Sequence, residues 1–334
     1  MNEVSLSPLS RAYGGVVGLR NKLFDRGIFK ERRYEVPVIS VGNLSVGGTG
    51  KTPVVAHFVA QFKSAGKKVC VVSRGYGGSF KQEAARVDLT QPWCAALFGD
   101  EPVWFARYLD VPVYVGPERR KAVELCIEEQ DPDVIVADDG FQHRWLARDR
   151  DLVLLDATEK SPALLPTGRF REPLSSLQRA DYVFLTKTNL AGAEQTQYWI
   201  KKAGEQGFSS DNHNLFVIEY ELASFKSLGA HKAFPKGESV MLASAIARPQ
   251  SFEQMVAREA KIFKHFIYSD HHPWSQEDVD KIQKTAEAEG CHTLVVTEKD
   301  YVKLSDLDLS GLTVFVAALA ITLHPPFPYE KLFD

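Results

Sequence analysis

The chain predicts a mostly parallel α/β sheet flanked by helices, followed by a second, smaller α/β lobe. Three observations carry that prediction. Strand-like and helix-like stretches alternate through most of the length, the pattern of helices laid on both faces of a parallel sheet. An early buried strand runs directly into a glycine-rich turn and a helix start. The 334 residues exceed one ordinary core, which favours two domains or one enlarged by insertions.

The elements follow in order. In residues 1–35, Leu6, Leu9, Tyr13, Val16, Val17, Leu23 and Phe24 fall on one helical arc roughly 120° wide. Arg11, Lys22 and Arg26 lie off it, Lys30, Arg32 and Arg33 follow, and Arg20 interrupts it. An apolar face with basic flanks fits a helix lying in an anionic membrane surface. It equally fits a helix packed on the protein's own core, and Gly14, Gly15 and Gly18 weaken the helix itself. Residues 36–212 form the expected first domain. Its strands are 36–42, 68–73, 110–115, 133–137, 152–155 and 182–186, and its helices 50–64 and 118–129. Residues 213–304 form the smaller lobe, with strands at 215–220, 239–245, 263–268 and 293–297. Helices near 250–260 and 275–288 alternate with them, the second opened by the capping box Ser275-Gln276-Glu277-Asp278. Residues 305–334, with a strand at 312–317, are expected to return to the first domain.

Composition excludes several classes. Hydrophobic content of 44% and charged content of 25% are ordinary for a globular protein. Lys plus Arg total 40 against 43 Asp plus Glu, so charge gives no argument for a nucleic-acid partner. Cys70, Cys94, Cys126 and Cys291 are scattered, which fits a reducing compartment rather than a disulfide framework or a zinc site. No apolar run is long enough to span a bilayer, and no cleavable signal is expected. Nothing in the sequence indicates an obligate protein partner.

The chemistry centres on Val38-Ile39-Ser40-Val41-Gly42-Asn43-Leu44-Ser45-Val46-Gly47-Gly48-Thr49-Gly50-Lys51-Thr52-Pro53. Strand, glycine turn and helix start make a phosphate-binding loop, in which backbone N–H groups and a helix N-terminus converge on one point. The fold expected is therefore that of a P-loop NTPase. Gly47, Gly48, Thr49, Gly50, Lys51 and Thr52 would hold the polyphosphate of a nucleotide, with Lys51 on the β- and γ-phosphates and the Thr52 hydroxyl on Mg²⁺. The usual pattern opens with glycine where this chain has Ser45. Gly47 and Gly48 are expected to supply the backbone freedom instead.

A metal–nucleotide site needs acid. The run Asp133-Val134-Ile135-Val136-Ala137-Asp138-Asp139 ends a buried strand in two carboxylates, at the edge where open α/β sheets bind ligands. Asp138 or Asp139 would hold Mg²⁺, unless the pair only opens a turn at Gly140. Gly99-Asp100-Glu101-Pro102 is a second acidic cluster, with Glu101 a further candidate for the metal and Asp100 either a helix cap or a base. Asp270-His271-His272-Pro273 could supply an imidazole partner for Asp100. Ser73–Gly78, Arg119-Arg120, Gln142-His143, Gly168–Pro173 and Thr297–Asp300 are smaller polar clusters. Each taken singly reads as solvated loop charge, although arginines suit forked phosphate recognition.

These motifs together resemble the tetraacyldisaccharide 4′-kinase family of lipid A synthesis. The loop with its Ser45, then Ser73–Gly78, Gly99–Pro102, Asp138–His143, Arg171–Pro173, Asp270–His272 and Thr297–Asp300 follow in the family's order, from about residue 6 to 304. The resemblance implies transfer of the ATP γ-phosphoryl group to the 4′-hydroxyl of a tetraacylated glucosamine disaccharide 1-phosphate. It implies Mg²⁺, two lobes closing over nucleotide, and work at the cytoplasmic face of the bacterial inner membrane on a lipid substrate. By the same resemblance Asp100 is the catalytic base, His271 its partner, Lys51 and Thr52 serve phosphates and metal, and Asp138 and Asp139 lie near the metal. Two other readings compete: a P-loop kinase or ligase for a soluble metabolite, and a membrane-attached nucleotide switch. Switches of that kind carry an extra lysine before the paired glycines, where this chain has Val46.

Overall fold

The computed structural model describes residues 7–91, 93–227, 233–246, 248–270 and 272–333. The chain opens with helix α1 (Pro8–Asp25), strand β1 (Val38–Asn43), α2 (Lys51–Ser64), β2 (Val69–Ser73) and the short β3 (Ala85–Arg86). Next come α3 (Cys94–Phe98), α4 (Asp100–Tyr108), β4 (Val113–Val115), α5 (Arg119–Gln130), β5 (Val134–Asp138), β6 (Arg150–Asp156) and β7 (Tyr182–Thr186). After α6 (Thr188–Ala191) and α7 (Ala193–Gly204) the chain enters β8 (Leu215–Ser227), β9 (Ser239–Ser244), α8 (Pro249–Val256) and β10 (Lys261–Ile267). It ends with α9 (Gln276–Glu289), β11 (Thr293–Thr297), α10 (Glu298–Leu304) and β12 (Thr313–His324).

One sheet of 12 strands runs through both expected lobes, in the order β10-β9-β11-β12-β8-β7-β6-β1-β5-β2-β4-β3. Its neighbours are parallel except at β3–β4 and β8–β12. The antiparallel β8–β12 pair therefore joins two parallel blocks. In the sheet β12 lies between β11 and β8, but its end packs through Ile321 and Leu323 into the core shared by β1 and α2. The segment after it returns as well, because Phe327 packs on Phe58 of α2 and on Phe184 and Phe216 of the sheet, at ring distances of 5.3, 5.6 and 4.9 Å.

The strand order centres the phosphate loop. Every residue of β1 is buried, as expected of a strand covered on both faces. Ile39 and Val41 join the core under α2, whereas Val38 joins the opposite core with Cys70, Tyr114 and Cys126. α2 buries Val54, Val55, Phe58, Val59 and Phe62, the spacing of one helical face. All four cysteines are buried and free. The capping box at Ser275 and Asp278 is present. β3, α3, α7 and α10 are elements the sequence reading did not place.

α1 docks on the rest of the chain yet leaves part of its apolar arc exposed. It docks through polar groups: Ser10 donates to the Leu164 carbonyl at 3.1 Å, Tyr13 to the Arg171 carbonyl at 2.9 Å, and Asn21 to Glu172 at 2.8 Å. Arg20, which breaks the apolar arc, turns toward buried Glu172 at 3.2 Å. Phe24 is the buried apolar anchor, edge-on to Trp145. Leu9 and Val16 are each 70% exposed and Leu19 61%. No described helix is long and apolar enough to cross a membrane.

Candidate active site

The loop between β1 and α2 is shaped from outside. Its carbonyls accept from side chains around it: Val46 from Arg169 at 2.7 Å, Thr49 from Thr186 at 3.1 Å, Gly50 from Tyr220 at 3.2 Å, and Gly48 from Lys187. The Val46 N–H donates to the Arg169 carbonyl at 2.8 Å, and the satisfied carbonyls leave the later N–H groups of the loop for an anion, which is how such a loop cradles phosphate. Gly47 and Gly50 adopt φ of +99° and +89°, where side chains are strained. A Cβ on them would also stand 1.9 Å from Arg169 and 2.1 Å from Tyr220. Gly48 has no such backbone, so the freedom expected of Gly47 and Gly48 comes from Gly47 and Gly50. Ser45 needs no glycine, because it is extended and bridges Phe170 as a strand residue would.

Lys51 opens α2. Its ammonium lies 3.3 Å from the Asn43 side-chain oxygen and 3.5 Å from Asp139. Asp139 is gripped by Arg171 through both oxygens, at 2.9 and 3.0 Å. Burial works against its charge, but Arg171 and Lys51 hold the carboxyl well below the usual range. Asp138 is different. One oxygen accepts from Ser73 at 2.9 Å, and the other is buried without a hydrogen-bond partner. Burial, with Glu101 nearby, pushes its carboxyl up to about 7. The adjacent carboxylates thus have separate tasks. Asp139 fixes Lys51 and Arg171, while Asp138 keeps an open oxygen. The Thr49 hydroxyl is likewise buried and unpartnered.

Glu101 and Asp100 start α4, with Gly99 at the N-cap and no side-chain cap. Asp100 is therefore not the helix cap. It pairs with Lys303 of α10 at 2.9 Å. Glu101 Oε1 accepts from the Thr52 hydroxyl at 2.7 Å and from the Lys299 ammonium at 2.8 Å. Burial opposes ionisation, yet Lys299 and Lys51 bring the Glu101 carboxyl down to about 2. Lys303 also donates to the His272 carbonyl at 2.9 Å, which ties the 268–275 loop to Asp100. His272 itself is bound to Asp278 of the capping box at 2.9 Å. His271 lies outside the described residues.

α10 is held in register by Asp300. This buried carboxylate accepts from the Ala245 backbone at 3.0 Å and Trp274 at 3.1 Å, and from the Thr297 hydroxyl at 2.6 Å. Three of the smaller clusters hold buried charge in Asp300, Glu172 and Arg119, whereas Arg74 and Arg169 stay exposed. Burial brings Arg119 down to about 10, against Asp139 and Asp138. His143 is brought down to about 3 by burial and by Arg119, Arg148, Arg120 and Arg74. Such a concentration of positive charge beside the loop suits an anionic ligand.

The oxygen donors fit a magnesium–nucleotide complex. Mg²⁺ takes few protein oxygens and relies on phosphates and water for the rest. Thr52, the open oxygen of Asp138 and Glu101 are donors of that kind. Among the described residues, no three His, Cys, Asp or Glu side chains gather into a ready-made metal cage.

Comparison with known proteins agrees with this geometry. The family model described as "Tetraacyldisaccharide-1-P 4'-kinase" matches residues 2–332. The tetraacyldisaccharide 4′-kinase of Bdellovibrio bacteriovorus is 39% identical over 310 residues, 90% of this chain and 89% of that one. That of Geobacter sulfurreducens is 34% identical over 328 residues, 96% and 90% of the two chains. Among solved structures, LpxK from Aquifex aeolicus in complex with ATP superimposes with a TM-score of 0.77 at 29% identity, covering 98% of this chain and 96% of that one. Phosphate loop, acidic edge, the single mostly parallel sheet and a family match over residues 2–332 agree: the chain belongs to the tetraacyldisaccharide-1-P 4′-kinase family.

Proposed function

We propose that this kinase moves the γ-phosphoryl group of ATP to the 4′-hydroxyl of a tetraacylated glucosamine disaccharide 1-phosphate, with Asp100 as the base. The observation that carries the reading is the contact of Thr52 on the phosphate loop with Glu101 on α4, the helix that Asp100 opens. Glu101 touches Thr52 directly, so its neighbour Asp100 opens the same helix turn beside the loop. A sugar hydroxyl is a poor nucleophile, and a carboxylate placed to accept its proton lowers the barrier to attack. The rest of the reaction asks for alignment and charge neutralisation. Lys51 neutralises the β- and γ-phosphates, and bound Mg²⁺ would supply further positive charge to them. Thr52, Asp138 and Glu101 would hold that ion, while Asp139 keeps Lys51 and Arg171 in place. His271 would orient Asp100 and tune its proton affinity. Exposed Arg74 and half-buried Arg120, with buried Arg119 behind them, make a positive region suited to the acceptor's own phosphate.

The acceptor carries acyl chains, and α1 fits the surface that holds them. Leu9, Val16 and Leu19 face outward, and Arg11, Lys22 and Arg26 are exposed on the same helix or at its end. Apolar side chains rimmed by basic ones bind an anionic bilayer surface without crossing it. The site of work would be the cytoplasmic face of the inner membrane, in lipid A assembly.

The test is acceptor-dependent ADP release in detergent micelles with Mg²⁺. Wild-type protein should release ADP only when the tetraacyldisaccharide 1-phosphate is added. Lys51→Ala and Asp100→Asn should fold normally and lose nearly all of it, whereas turnover that ignores the lipid would point to a different acceptor.

A further inference from the structure

The pairing of Glu101 across the lobes carries a consequence for metal binding. One oxygen, Oε1, takes hydrogen bonds from both the Thr52 hydroxyl and the Lys299 ammonium, at 2.7 and 2.8 Å. Thr52 belongs to the phosphate loop, and Lys299 comes from α10 in the smaller lobe. The carboxylates around Lys299 are Glu101, Asp138 and Asp270. Lys51 and Arg171 are committed to Asp139, and Lys303 to Asp100. Among the described residues, Lys299 is the cation bonded directly to Glu101, while Lys51 acts on Glu101 and Asp138 through space from its place beside Asp139. The Glu101–Asp138 side is the one with the open Asp138 oxygen and the Thr52 hydroxyl.

We propose that Lys299 is a placeholder cation: its ammonium neutralises the Glu101–Asp138 side of the metal site in the nucleotide-free protein and yields that place when the divalent ion arrives with ATP. This rests on the Mg²⁺–ATP reading above. A divalent ion bound beside Thr52 and Glu101 would compete with the Lys299 ammonium for the same carboxylate charge, while the Thr52 hydroxyl can turn its oxygen to the metal and keep its proton on Glu101. The exchange gives the small lobe a means of sensing the ion, because Lys299 leaves a bond that joins α10 to α4. A site already neutralised also resists filling by a free divalent ion without nucleotide. Competition between two cations for one site is a coupling free energy, and it acts equally in both directions.

Mn²⁺ affinity should be measured on nucleotide-free protein by the loss of the free-ion paramagnetic resonance signal, and again with a non-hydrolysable ATP analogue. Lys299→Met should bind Mn²⁺ alone at least about tenfold more tightly than wild type, within the usual range of such couplings. Lys299→Arg keeps the charge and should stay near wild type. Lys299→Gln, which can still donate to Glu101, carries the same expectation as Met and serves where Met weakens the fold. Unchanged or weaker Mn²⁺ binding in both neutral variants would overturn the placeholder role while leaving the nucleotide reading intact. Absence of Mn²⁺ binding to wild type even with the ATP analogue would overturn the metal assignment, and the exchange with it.

Discussion

His143 shows at the scale of one residue what this site does to charge. It sits among Arg74, Arg119, Arg120 and Arg148, and burial with those cations keeps its imidazole neutral down to about pH 3. The unfolded chain would protonate it near its ordinary value of 6.5. Below that pH the unfolded state binds a proton the folded state refuses, so stability falls from about pH 6.5 downward. Above it His143 makes no pH-dependent contribution. His143→Gln should therefore lose less thermal stability than wild type between pH 6.5 and 4, and the same amount between pH 7 and 8. Parallel melting curves for the two proteins across the acid range would contradict this environment. Residue-scale chemistry was legible only where spacing encodes it. Gly50-Lys51-Thr52 and the strand-ending Asp138-Asp139 could be read because a phosphate loop and an acidic edge have fixed local order. Lys299 could not, since its partner Glu101 lies 198 positions away and only the tertiary fold brings them together. The division of labour between Asp138 and Asp139 was hidden for the same reason, because it depends on Arg171.

Among the elements, α1 is where pattern and structure part. Its existence was readable despite three glycines, but the buried face was not. An apolar arc is a guide to the core only when the core offers apolar surface. Here the receiving surface is the 164–172 segment, with carbonyls and buried Glu172, and Ser10, Tyr13, Arg20 and Asn21 answer it. Leu9, Val16 and Leu19 are left outside. Fully burying a side chain of that kind contributes about 1.5–3 kcal/mol, so the outward row is large enough to hold a surface helix in a bilayer. The double variant Val16→Glu/Leu19→Glu should keep the wild-type melting temperature, since exposed substitutions have small effects. It should also sediment with anionic phospholipid vesicles at least about tenfold less. Unfolding of the variant would mean that α1 packs through these residues, and undiminished vesicle binding would place the membrane contact elsewhere. α10 is the opposite case. It was read as a short polar cluster, because seven residues carry no clear period, yet Asp300 anchors it and two of its lysines reach the acids of α4.

At the scale of the whole molecule, the residues around Asp100 and Glu101 come from both parallel blocks of the sheet. The parallel block around β1 supplies the loop, Asp138, Asp139 and α4. The block around β11 supplies α10 and the loop that carries Asp270. The β8–β12 pair joins them in one sheet, and the aromatic cluster around Phe327 brings the end of the chain back onto α2. Alternation of strands and helices made the parallel blocks readable. The antiparallel seam was not, because nothing local in 215–227 or 313–324 states which strand will lie beside it. Bringing the two blocks together is what sets α10 against α4, and so completes the surroundings of Asp100 and Glu101. The measurement that tests this account most directly is the identity of the reaction product. Purified protein is incubated with ATP labelled in its γ-phosphoryl group, Mg²⁺ and the tetraacyldisaccharide 1-phosphate, and the product is located by mass spectrometry and phosphorus NMR. The account predicts one new phosphomonoester, carrying the label, at the 4′-position of the distal glucosamine. Label found only as inorganic phosphate, or on any other position of the acceptor, would contradict it.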